Sequence, residues 1–226
     1  MSNDELQALY PFLHGHSQDS KAVDEGLLGS LHQKAAHSVD TKRAFFAGNG
    51  EAVVAVARTI AAVYQRGGRL LSMGNGGSSC DAAHFAVEFM HPVTAGRPAL
   101  SAINLADDNA MVTAIGNDVG FEHVFARQLV AHGRPQDGLI GFSTSGNSDN
   151  LLAAFAKAHG LGLATIGLAG GDGGAMARSQ HLDHCLVVAS DSIHRVQEVH
   201  VTIYHIVWDL VHTLLADRRG DLARST

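Results

Sequence analysis

The stretch that most constrains this chain joins an apolar run to a glycine turn and then to a segment of helical spacing. Gly68-Arg69-Leu70-Leu71-Ser72-Met73 reads as a buried strand, and Gly74-Asn75-Gly76-Gly77-Ser78-Ser79 follows it directly. A strand that opens through glycines into a helix gathers free backbone N–H groups and the positive end of a helix dipole at one point, which makes an anion site. His84 and Glu88 then come four residues apart. That spacing puts them on one face of the helix, about 6 Å apart along its axis. An anion anchor and two chemically capable side chains therefore lie side by side.

The rest of the chain alternates in kind. Helices are expected over 27–46 and 51–64, separated by a stop at Gly48-Asn49-Gly50, and Gly67-Gly68 leads into the first strand. Strands are expected over 99–105, 137–142, 163–168 and 184–188. Helices are expected over 110–115, 122–132, 150–159 and 195–215, with Gly116-Asn117-Asp118 as a turn. Strands separated by helices imply right-handed crossovers and a parallel sheet covered on both faces. The expected fold is α/β, a doubly wound five-stranded parallel sheet with an N-terminal helical layer. Residues 1–24 read as a separable extension in which Leu6, Leu9, Tyr10 and Leu13 could form an apolar turn or two. The domain proper is expected over 25–218, and 219–226 reads as a tail.

A second turn repeats the logic of the first. Ser143, Thr144, Ser145 and Ser148 place four hydroxyls within six residues, between a strand and a helix. Hydroxyls donate to phosphate oxygens, Gly146 lets the backbone come close, and the helix end adds its dipole. Capping by Ser145 or Ser148 would explain such a turn alone. Two of them, both at the C-terminal edge of a parallel sheet where ligands bind, favour a phosphate.

The formal charge of −6 argues against an electrostatic nucleic-acid binder but leaves backbone-held phosphates open. Cys80 and Cys185 are far apart and give no disulfide framework, which fits a reducing compartment. With an acidic start and no apolar run read as membrane-spanning, a cytoplasmic domain is expected.

The segments GNGGSSCDAAHFAVEF, AIGNDVGFEHVFARQL, STSGNSDNLLAA and RVQEVHVTIYHIVWDL resemble those of bacterial phosphoheptose isomerases, members of the sugar isomerase (SIS) superfamily with its flavodoxin-like sheet. The resemblance implies that Asn75, Gly76, Gly77 and Ser78, with Ser143, Thr144, Ser145 and Ser148, bind the substrate phosphate. It also assigns substrate contacts to Asp108 and Gln197. It matches His84, Glu88, Gln197 and His205 to the ligands of one zinc ion per subunit, with Glu88 and His205 catalytic. The implied reaction is aldose–ketose isomerisation of sedoheptulose 7-phosphate to D-glycero-D-manno-heptose 7-phosphate, serving heptose-containing surface polysaccharide. Ser190-Asp191-Ser192-Ile193-His194 departs from the family pattern, with Ile193 where a threonine is usual, so another ketose phosphate stays open. The same subfamily includes non-catalytic proteins that bind the replication initiator, but these replace the positions matching Glu88 and His205, and both are retained here.

Other candidates have plainer readings. His181, His184 and Cys185 are loosely spaced for a metal, His200 reads as an exposed or packed helix residue, and Trp208 as core or subunit interface. Gln197 and His205 are eight residues apart, about 12 Å along a straight helix, too far for both to meet one ion easily. Either the helix breaks near Gln197 or a neighbouring chain completes the site, so a homo-oligomer with shared active sites is the expectation, and the family resemblance implies a homotetramer.

Overall fold

The computed structural model describes residues 20–216. The N-terminal apolar turn, most of the 1–24 extension and the whole 219–226 tail therefore lie outside the described residues. The chain divides into two compact units, residues 1–40 and 41–226. The described part of the first is helical and presents Val23, Leu27, Leu28 and Leu31 to solvent.

Five parallel strands build the second unit: β1 (Leu70–Gly74), β2 (Ala102–Asn104), β3 (Gly138–Ser143), β4 (Ala164–Gly170) and β5 (His184–Val188). They lie in the order β2-β1-β3-β4-β5. The helices are α1 (Ser20–Gln65), α2 (Gly77–Met90), α3 (Asn109–Asp118), α4 (Val124–His132), α5 (Asp149–Gly160), α6 (Gly174–Ala177) and α7 (Ile193–Leu214). Every residue of β1 and β3 is buried, as expected of strands covered on both faces. Alternation sends Leu70, Ile140 and Phe142 to one face, packed with Ile60, Phe85, Phe89, Ile203 and Tyr204. Leu71, Met73 and Leu139 go to the other, with Phe125, Leu129 and Phe155.

Two expected boundaries are overturned. Gly48-Asn49-Gly50 does not stop a helix, because α1 runs through it. Glycine weakens a helix by only about 1 kcal/mol relative to alanine, and burial of Phe45, Val53 and Val56 on either side outweighs that. Asn49 also donates its amide N–H back to the Phe45 carbonyl at 2.9 Å. Likewise Gly116-Asn117-Asp118 continues α3, and the turn comes at Val119-Gly120. Part of α1 is long and apolar enough by composition to cross a membrane, contrary to the sequence reading. Val53, Val56, Ala57, Ile60 and Ala61 of that helix are instead buried in the core.

The chain order reverses at β1, which has β2 on one side and β3 on the other. Gly74 pairs with Phe142, so the turns that follow β1 and β3 emerge next to each other at this switch point.

Candidate active site

The β3 turn folds around its own hydroxyls. Ser143 Oγ accepts from the Gly146 N–H at 3.1 Å and lies 3.1 Å from Ser148 Oγ. Ser148 holds the N-cap position of α5, yet its side chain makes no capping bond, so simple capping does not explain it. Gly146 has φ +66°, and a Cβ there would strike the Gly173 carbonyl, so this turn needs glycine. Asn75, Ser78, Phe142, Ser143, Thr144, Ser145 and Ser148 line a pocket of about 130 Å³ between the two turns. Of the sequence-derived anchor residues, Gly76 and Gly77 shape the first turn. Asp108 lies apart from this lining: it is exposed and caps α3, accepting from Met111 N–H at 2.9 Å.

At the other end of α2 a second cluster forms. His84 Nε2 lies 3.1 Å from Glu88 Oε1, and His205 Nε2 lies 4.0 Å from the same oxygen. One donor atom from each residue falls within 4.8 Å of the other two. Two atoms each about 2.0–2.2 Å from a shared ion are at most about 4 Å apart, so a His–Glu–His set of this kind fits a metal after small adjustment. Its histidine is also oriented: Tyr204 Oη lies 2.7 Å from His84 Nδ1, leaving Nε2 toward Glu88, the arrangement that metal-binding histidines use. Gln197 does not join this cluster. α7 runs unbroken through it, and its amide packs against Gly77, where any Cβ would collide with it.

Three participants escape the sequence reading. Tyr204, only 1% exposed, holds its proton well above the usual phenol range because of burial, then the charges of Asp81 and Glu88. Asp81, 7% exposed, has its pKa raised to about 6 by burial, against a lowering pull from His84. Asn150 exchanges amide hydrogen bonds with Asn75. Some signal existed, since Asp81 is three residues before His84 on the same helix and Tyr204 adjoins His205.

The plainer readings fare differently. His184 Nε2 pairs with Thr59 Oγ1 at 2.8 Å, and burial pushes the Cys185 thiol up to about 11, which keeps it protonated. His200 is fully buried, donates toward the Ala169 carbonyl at 3.3 Å and is held neutral, its pKa lowered to about 4 by burial.

Residues 35–170 match the model of the SIS domain family. A phosphoheptose isomerase from Roseiflexus sp. is 44% identical over 178 residues, covering 79% of this chain and 89% of that protein. The solved structure of a phosphoheptose isomerase from Francisella tularensis superposes with a TM-score of 0.78 at 34% identity, over 82% of this chain and 98% of that one. That of the Neisseria gonorrhoeae phosphoheptose isomerase gives 0.77 at 36% identity, over 83% and 99%.

Proposed function

The chain belongs to the SIS-domain family and, within it, to the phosphoheptose isomerases, and from that premise we propose how its residues interconvert sedoheptulose 7-phosphate and D-glycero-D-manno-heptose 7-phosphate. One observation supports the assignment of roles most directly: α2 carries a hydroxyl-lined pocket at its N-terminal end and the His84–Glu88–His205 cluster toward its C-terminal end.

The phosphate is held by Ser78, Ser143, Thr144, Ser145 and Ser148 together with the backbone of the Asn75-Gly76-Gly77 turn. Helix-end N–H groups supply the charge complement without a cation. With the phosphate fixed, the sugar extends along α2 toward Glu88. Glu88 removes the proton from C1 of the ketose and returns it to C2, so that the C1–C2 bond passes through an enediol. His205 moves the oxygen proton from O1 to O2, which balances the exchange. Asp108 and Gln197 are assigned to the sugar hydroxyls.

His84, Glu88 and His205 are the residues that would hold zinc, with Gln197 the fourth ligand that the family resemblance implies. When bound, zinc supplies a Lewis acid that polarises the carbonyl. Glu88 has a second carboxylate oxygen beyond the one facing the imidazoles, and this is the oxygen left for the carbon-bound proton.

The assembly belongs to the same proposal: a cytoplasmic homotetramer with shared sites. Glu88 and His205 meet within one chain, so sharing is not needed for these two. Gln197 lies against Gly77 of its own chain, so in a shared site it would have to leave that contact to reach a neighbouring subunit's cluster.

Incubation with sedoheptulose 7-phosphate, following formation of the aldose 7-phosphate, tests the reading. Glu88→Gln keeps the shape of the side chain but cannot accept a proton, and turnover should fall by about 10²–10⁴-fold with the fold intact. Near-wild-type turnover in that variant would remove Glu88 from its role.

A further inference from the structure

Glu88 stands in the last turn of α2 (Gly77–Met90). The final four carbonyls of a helix have no partner within it, and such turns fray unless other donors hold them. Three donors do so here. The Val87 carbonyl accepts from His91 N–H at 2.8 Å and the Phe89 carbonyl from Leu100 N–H at 2.8 Å. The Glu88 carbonyl itself accepts from the indole N–H of Trp208 at 2.8 Å.

That indole is fixed in turn. Trp208 is 9% exposed, and the Arg97 guanidinium lies 4.3 Å over its ring, a cation–π contact that favours one orientation of the ring. Arg97 is tied to Asp209, the residue next to Trp208, at 2.5 Å. Trp208 also stands three residues after His205 on α7, close to the same helix face. The helix that presents His205 therefore also grips the backbone of Glu88, and the 4.0 Å between their side chains is set across this hydrogen bond.

The geometry points to Trp208, braced by Arg97, as a positioning residue that holds Glu88 in register with His205 and with the carbon-bound proton. This rests on the reading of Glu88 as the base. Neither residue lines the phosphate pocket or is itself a metal ligand, so the clamp acts through Glu88 and leaves the phosphate anchor untouched. Displacement of a reacting group by about 1 Å costs up to 10²-fold in rate. Loss of the indole N–H should therefore appear in kcat and not in KM.

The experiment compares Trp208→Phe, Arg97→Gln and Glu88→Gln with the unaltered protein, using substrate deuterated at the carbon that loses its proton. Trp208→Phe keeps an aromatic ring under Arg97 but removes the donor. Its kcat should fall about 10-fold or more while KM stays within about twofold, and the deuterium isotope effect on kcat should rise as proton transfer becomes slower. Arg97→Gln should show the same split to a lesser extent. A purely structural role would lower the active fraction without moving the isotope effect, and that result overturns the proposal, as does an unchanged kcat in both variants. If Trp208→Phe does not fold, Arg97→Gln provides the same test, and the same two results decide it. An inactive Glu88→Gln beside fully active clamp variants would sink the clamp alone. An active Glu88→Gln would sink the base reading, and the clamp with it.

Discussion

Asn75 and Asn150 exchange two side-chain hydrogen bonds, amide N–H to amide oxygen in each direction, at 2.8 and 2.9 Å. The pair joins the turn after β1 to the first turn of α5, and so fixes the width of the pocket between them. Asn150 is buried, and deleting one partner strands the other amide, a loss of about 1–3 kcal/mol. Asn150→Ala should lower the unfolding free energy measured in urea by that amount and raise KM for the phosphorylated ketose, with a smaller change in kcat. An unaltered KM would show that the two turns keep their spacing without the pair.

The serine hydroxyls should affect binding and leave the metal untouched. Ser145→Ala and Ser148→Ala each remove a hydroxyl bordering the pocket, so KM should rise by roughly one hydrogen bond to a charged group, about 1.5–3 kcal/mol or 10- to 150-fold. Inorganic phosphate should compete with substrate. Equal binding of the dephosphorylated sugar would contradict the assignment of the pocket.

For the metal, Tyr204→Phe removes the hydroxyl that orients His84 and leaves the donor atoms in place. Loss of such a partner lowers metal affinity by about 10–100-fold. Elemental analysis should find zinc in protein purified without chelator, less after dialysis of Tyr204→Phe, and none in His84→Ala. Equal retention in all three proteins would place the metal elsewhere.

Two buried groups give opposing pH dependences of stability. His200, with a folded pKa of about 4 against an ordinary value near 6.5, takes up its proton first in the unfolded chain. Its contribution is complete above about pH 6.5 and is lost on acidification toward pH 4, by at most about 1.4 kcal/mol per pH unit. Asp81, raised to about 6, is protonated in the folded protein while the unfolded chain is still ionised. Its effect therefore runs the other way between about pH 6 and pH 4. Metal-free Asp81→Asn protein should lose stability more steeply over this window than metal-free wild type in urea titrations. Parallel curves would show that Asp81 carries no such opposing effect.

The parts of the site read from sequence were those that follow from spacing within one element. His84 and Glu88 share a face because they are four apart, and the hydroxyls of 143–148 cluster because they are neighbours. Tyr204 and Asn150 were not legible. Each acts through a residue more than seventy positions away, and periodicity assigns a tyrosine in an apolar helix to the core. Trp208 was read as core or interface, and its burial agrees, but its N–H partner depends on how α2 and α7 cross. The glycines at 48 and 50 misled for a related reason: local propensity marked a stop, and burial of Phe45, Val53 and Val56 decided otherwise, while at 116 the helix runs on to Asp118 beside buried Ile115.

On the roles proposed above, α2 holds the phosphate turn at one end and Glu88 at the other, and so works as a measuring rod. No hinge lies between Gly77 and Met90, so the interval from phosphate to base cannot adapt to a shorter or longer sugar by loop movement. Only the bend of the ligand itself can take up the difference. Deleting one residue between His84 and Glu88 would shorten the rod by merely about 1.5 Å but would turn Glu88 by about 100° away from His84. Selection among ketose phosphates is thereby coupled to helical phase, and a change of substrate length calls for changes in whole turns.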